Sequence, residues 1–148
     1  MREYGMGPVK EPIKVVARYR DGRILRGVTR NLRPEVDETF HVLPCGHAAD
    51  DPPAEVALSD LKAVFVVKTF AGNPAHQATN DQPAQPGCGV VLEVEFQDGE
   101  VIRGQSMTYT TKGAGFWLTP VDPESNNSRM YIVRASTRDI HRQMPQMN

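Results

Sequence analysis

The sequence predicts an all-β protein made of two tandem small five-stranded barrels related by internal duplication. Three observations predict it. The chain repeats itself at a nearly constant offset, each copy carries a strand, an Asp-Gly turn and a return strand, and a Pro/Gly/Asn-rich stretch separates the copies.

The repeat comes first. Val15–Gly27 aligns without a gap on Leu92–Gly104 at an offset of 77 residues, so that Asp21-Gly22, Arg26 and Gly27 meet Asp98-Gly99, Arg103 and Gly104. Val15, Ala17 and Tyr19 are matched by Leu92, Val94 and Phe96. The offset then becomes 76: Phe40–Pro44 falls on Phe116–Pro120, Val56-Ala57 on Ile132-Val133, and Lys62–Val64 on Arg138–Ile140.

Each copy reads alike. A strand of period-two alternation ends at Asp-Gly, a strong hairpin signal because both residues tolerate positive φ. The return strand, Ile24–Arg26 or Val101–Arg103, runs into Gly27 or Gly104, where a bend or bulge is expected. A third strand is expected at Phe40–Leu43 or Phe116–Thr119. A fourth starts at Val56 or Ile132, and a fifth lies around Lys62–Lys68 or Arg138–Ile140, with Asp60 shaping the turn before it. Five short strands with a bent second strand suggest a small, highly curved barrel of SH3-like or Sm-like type. One continuous β-sandwich assembled from both halves is the alternative.

The expected layout is a first barrel over 12–70, a linker over 71–88, a second barrel over 89–141 and a disordered tail over 142–148. Alternation places Val15, Ala17, Tyr19, Leu25, Phe40, Val42, Val56, Leu58 and Leu61 in the first core. Leu92, Val94, Phe96, Ile102, Phe116, Leu118, Ile132 and Ile140 fill the second.

Bulk properties bound the function. The net charge of −1 argues against a dedicated nucleic-acid binder. Two cysteines are too few for a disulfide scaffold. The longest apolar run, Ala63–Val67, is far short of the ~20 residues of a membrane helix, and Met1–Pro8 has no signal-peptide core. A soluble cytoplasmic protein that acts on no membrane is expected.

Two stretches carry a resemblance. Val56–Lys68 with Phe70 and Gly72-Asn73, and Gly115–Asn127 with Arg129, resemble recurrent segments of an uncharacterised bacterial family of unknown function. The resemblance spans about Lys14 to Ile140, and implies a bacterial source and a tandem layout but no activity. The strand order is also similar to that of Sm-like RNA-binding barrels, whose RNA-contacting residues are not evident here, and fold analogy alone carries no function.

Candidate sites are few. His41, Cys45 and His47 bring imidazole and thiolate together, which is zinc chemistry, but a structural site needs a fourth ligand such as Cys88, His76 or a carboxylate. The plainer reading puts His41 on a solvent-facing strand position and makes Cys88 an incidental linker thiol; no metal or cofactor is expected. Arg26 and Arg30 resemble the arginine pair with which PilZ-type barrels hold cyclic di-GMP, yet the partner motif of those receptors is missing after Arg30. Trp117 and Phe116 must point to opposite faces, so one is core and the other outward; an exposed Trp117 would be a contact candidate, and the plainer reading covers it with the linker or the other barrel. Gly104–Thr108 is no nucleophile elbow, and no metalloprotease, Walker or dinucleotide motif occurs.

The favoured expectation is therefore a non-enzymatic protein-interaction or assembly module. The alternative is a binder of an anionic ligand, a nucleic acid or nucleotide second messenger, through the hairpin Lys14–Arg33. That hairpin has seven basic residues and a single acid, Asp21. On the outward face of the first strand, Lys14, Arg18 and Arg20 correspond to Val91, Glu95 and Gln97 in the second copy, and Val16 corresponds to Glu93. One face is basic and the other acidic: either the surface charge has drifted freely and both faces are merely solvated, or Lys14, Arg18 and Arg20 dock against Glu93 and Glu95, within the chain or between chains.

Overall fold

A computed structural model describes residues 11–46, 50–72 and 79–143. The first half contains β1 (Ile13–Tyr19), β2 (Ile24–Thr29), β3 (Thr39–Pro44), β4 (Ala54–Ala57) and β5 (Leu61–Val67). The second half contains β6 (Val90–Phe96), β7 (Val101–Ser106), β8 (Gly115–Pro120), β9 (Asn127–Val133) and β10 (Thr137–Gln143). A single 3₁₀ turn precedes the last strand of each half, at Leu58–Asp60 and Arg134–Ser136. Asp60 thus lies in the turn where the sequence placed it.

The ten strands form one antiparallel sheet in the order β10-β6-β7-β8-β9-β5-β1-β2-β3-β4, and it does not close into a barrel. The expectation of two separate barrels is corrected here. Hydrogen bonding runs from half to half through β5 and β9, with Ala63 opposite Ile132, Val64 opposite Tyr131 and Phe65 opposite Met130. The physical reason lies in those two strands. Leu61–Val67 is buried at all seven positions, and Met130–Val133 is buried at four in succession. A strand apolar on both faces needs cover on both faces, which one small barrel does not give it.

Two cores result, and each borrows from the other half. The first collects Val15, Ala17, Phe40, Val42, Val56, Leu58, Leu61, Val64 and Val66, but also Tyr131 and Val133. The second collects Leu92, Val94, Phe96, Phe116, Leu118, Met130 and Ile132, but also Ala63, Phe65 and Val67. Every core residue expected from strand parity is buried or packed against its core. Tyr19, Leu25, Ile102 and Ile140 are the partly covered ones. Val16, expected to face away from the core, packs against the second core.

The halves share their internal registers. Gly27 stands opposite Val15 on one side and Pro44 on the other, and Gly104 stands likewise between Leu92 and Pro120. Neither glycine has the positive φ that would excuse it. What demands glycine is close approach: a Cβ on Gly27 would lie 2.3 Å from the Leu43 carbonyl oxygen and 2.6 Å from a Val42 methyl. On Gly104 it would lie 2.5 Å from the Thr119 oxygen and 2.6 Å from Leu118 Cγ. The hairpins match too. Gly22 and Gly99 take φ of +98° and +93°, and each Asp Oδ1 accepts from the backbone N–H two residues on, at 3.0 Å.

Where it is described, the linker stretch 71–88 is held in part along β7. The Gln105 side chain, 3% exposed, accepts from the Gln85 N–H at 2.7 Å and donates to the Gln85 and Gly89 carbonyls. At its end β10 sets Arg142 opposite Leu92 and Gln143 opposite Val91. No helix among the described residues is long and apolar enough to cross a membrane.

Candidate functional site

A cleft of about 510 Å³ opens between the halves. One wall is the outer side of the β1–β2 hairpin, with Val16, Arg18, Ile24 and Arg26. The opposite wall is Glu100–Arg103 at the start of β7, and the end is closed by Asp122 and Ser125–Asn127. Phe65, Val67 and Met130 supply apolar surface from the two strands that join the halves. The cleft exists because β5 and β9 pair edge to edge, which brings two hairpins of opposite halves face to face.

Most polar groups of this cleft are engaged in holding it. Asp122, 3% exposed, accepts from the Thr79 N–H at 3.1 Å and the Glu124 N–H at 2.9 Å. Asn126 exchanges hydrogen bonds with the Thr69 backbone. Arg103 donates from Nε to Gln143 Oε1 at 2.8 Å and from Nη1 to the Asn80 and Gln82 carbonyls. Asn80 in turn bonds the Val101 carbonyl and the Arg103 N–H. Arg18 lies 3.7 Å from Glu100 and 5.8 Å from the Phe65 ring centre. Arg26 differs: among the described residues its guanidinium has no hydrogen-bond or ion-pair partner. Ile24 and Val101 face each other's walls with about 40% of their surface exposed, at 42% and 40%.

Behind Glu100 lies a charge cluster that sequence reasoning passed over. Lys62, on the otherwise apolar β5, has a side chain only 9% exposed. Its Nζ donates to Asp98 Oδ2 at 2.7 Å, pairs with Glu100 and sits 4.6 Å from the Phe96 ring centre. The hydrogen bond from Lys62, then that from the Glu100 N–H, hold the Asp98 carboxyl below its ordinary range. The signal was present, because a lysine inside a fully apolar strand requires a carboxylate partner.

The other candidates scatter. Arg20 donates to the Ser59 carbonyl at 3.0 Å, Arg23 pairs with Asp21, and Arg33 pairs with Asp37. Lys14 and Arg30 are exposed on the hairpin outside the cleft. Glu95 pairs with Arg138 at 3.1 Å, and Glu93 stands between Arg103 and His141 in the ladder. Among the described residues, then, no ion pair joins the basic face of β1 to Glu93 or Glu95; the partner that Arg18 finds in the second half is Glu100. Within the chain, β5–β9 pairing sets Arg18 against the β6–β7 hairpin.

Trp117 is half-buried against the first core while Phe116 fills the second. Its Nε1 donates to Glu35 at 3.0 Å, its ring meets Tyr131 edge-on at 5.4 Å, and Arg129 stacks at 4.3 Å. It is a bridge between halves, away from the cleft. His41 contacts the Asn31 side chain at 3.1 Å, Cys45 is exposed and Cys88 partly so, both as free thiols. His47 and His76 lie outside the described residues. Among the described residues no three His, Cys, Asp or Glu side chains gather as a metal site would require.

The fold and cleft define an all-β protein with two interlocked halves and a cleft at their seam. A family model described as a family of unknown function, DUF6982, matches residues 11–142, and the chain belongs to that family. No curated protein and no solved structure matches.

Proposed function

We propose that this protein is a non-enzymatic interaction module, built as a duplicated pair of five-stranded units, that captures a polypeptide segment in the cleft between its halves. The observation that carries the reading is the Arg26 guanidinium, without a partner among the described residues, set beside exposed Ile24 and Val101 with Phe65, Val67 and Met130 beneath. A polar-walled cleft with apolar patches and one unengaged cation among its charged residues suits a short extended segment that has a carboxylate next to an apolar side chain. The remaining polar groups hold the walls rigid, which lowers the ordering cost of binding.

Panning a random peptide library on the protein, with counter-selection on Arg26→Glu and Ile24→Lys, tests this. Enrichment of acidic–apolar sequences that both variants lose is expected. Peptides that bind both variants as well as the parent would overturn the proposal.

The second reading, an anionic ligand on the hairpin Lys14–Arg33, has less support. Arg18, Arg23 and Arg33 are paired with carboxylates of this chain and Arg20 with a carbonyl. Arg26 and the exposed Lys14 favour it. Retention on heparin near physiological salt, lost with Arg26→Glu, would bring it forward.

A further inference from the structure

In each half the strands lie in the same lateral order: fifth, first, second, third, fourth. The joint between the halves therefore pairs the fourth strand of one with the fifth strand of the other. The two outer edges of the sheet are β4 and β10, again a fourth strand and a fifth. From the geometry we infer that the protein assembles head to tail with copies of itself, β10 of one chain pairing antiparallel with β4 of the next as β5 pairs with β9 inside it. This stands apart from the cleft proposal, since it uses the opposite ends of the sheet.

The register follows from structural equivalence. Phe40 pairs with Val56 and His41 with Glu55, as Phe116 pairs with Ile132 and Trp117 with Tyr131. Ala17 pairs with Val64 and Arg18 with Ala63, as Val94 pairs with Ile140 and Glu95 with Asp139. Carrying the internal pairs Ala63–Ile132 and Val64–Tyr131 over to the outer edges sets Asp139 opposite Val56, and Ile140 opposite Glu55, of the next chain. On the face of Ile140, Arg142 is the diagonal neighbour, within reach of a long side chain, whereas Arg138 lies at a bulge and pairs with Glu95. Glu55 is thereby placed beside the Arg142 guanidinium.

Charge selects this pairing over the alternatives. The β4 edge and its approach carry Asp50, Asp51 and Glu55 with no lysine or arginine, whereas β10 carries Arg138, His141 and Arg142 against Asp139, which is itself held by His141 at 2.7 Å. Charged edges repel their own kind, so two β4 edges or two β10 edges do not pair. Unlike edges attract, and the contact is heterologous: repeated, it closes a ring or grows a filament. The internal joint places Tyr131 where the outer joint places Glu55, so the outer joint is the weaker and the more sensitive to salt.

Sedimentation velocity and native mass spectrometry of the full chain, at low and high salt, read the association state. Wild type should associate at low salt and dissociate as salt rises. Glu55→Arg and Arg142→Glu should each weaken association by about tenfold, and mixing the two variants should restore it, since each then meets the opposite charge. A wild-type chain that stays monomeric at low salt would overturn the inference. So would association indifferent to both variants, or variants that remain apart when mixed although circular dichroism shows each folded.

Discussion

Lys62 and Asp98, one on the strand that joins the halves and the other in the far half's hairpin, meet at 2.7 Å beneath the cleft. Glu100 completes the cluster and passes its charge on to Arg18 in the cleft wall. The lysine is buried and both carboxylates are about half exposed, so the cost of breaking the cluster depends on which partner is removed.

Lys62→Met keeps the packing of the stem and leaves two carboxylates that water can reach, so it should cost less than about 1 kcal/mol. Asp98→Asn with Glu100→Gln leaves a buried ammonium without a countercharge and should cost about 1–3 kcal/mol. Urea unfolding midpoints of the two variants distinguish them, and the opposite ranking would remove the cluster's part in joining the halves.

The same cluster makes stability depend on acid. Asp98 titrates below its ordinary value because Lys62 hydrogen-bonds its charged form. Its contribution is present above the unfolded carboxyl pKa of ~3.9, and is lost as pH falls through the lower folded value. Unfolding midpoints measured from pH 6 down to pH 2 should fall more steeply for wild type than for Asp98→Asn. Asp21, lowered by its own hydrogen bonds to Arg23, is exposed at the hairpin tip and serves as the comparison, Asp21→Asn flattening the profile without touching the joint.

Gly27 and Gly104 should respond alike. Alanine at either drives a Cβ into a carbonyl oxygen of the neighbouring strand, so each should cost about 1–3 kcal/mol through backbone displacement. Gly22→Ala meets nothing within 4 Å and pays only for its φ of +98°, about 1 kcal/mol. Equal costs at 27 and 22 would mean that strain of the turn, not the approach of β3, governs these positions.

Much of this was legible in the sequence. Alternation in β1 and β6 assigned their inward faces because one face of each strand is covered by its own half, and the Asp-Gly pairs located both hairpins. The joint was not assigned, although its signal was there. Ala63–Val67 and Met130–Val133 are unbroken apolar runs, and such runs mark strands buried on both faces. Treating each half as closed left their second faces without cover. The cleft was missed for the same reason, since Arg18 and Arg26 had been read as features of one hairpin and their setting depends on the other half. Nothing local to Glu100 marks it, because its ion-pair partners Lys62 and Arg18 lie across the joint, and the Thr79 partner of Asp122 lies in the linker.

The shared cores bear on whether either half can stand alone. Val64 and Val66 pack in the first core beside Tyr131 and Val133, while Ala63 and Phe65 complete the second. A fragment ending at residue 72 would expose the far face of β5, and one starting at 79 would expose the far face of β9. Burial of a large apolar side chain contributes about 1.5–3 kcal/mol, and each fragment forfeits several such contacts out of a small domain's total of about 5–15 kcal/mol. Residues 11–72 and 79–143 made separately should therefore lack cooperative unfolding transitions. Mixed, they should fold as a 1:1 pair, because the β5–β9 ladder and both cores re-form without the connecting stretch. Trp117, the sole tryptophan, reports the event, since its contact with Glu35 spans the halves and its emission should change only on mixing. Independent cooperative folding of either fragment would return the molecule to two self-sufficient domains, and the buried β5–β9 joint would then be a docking contact between them.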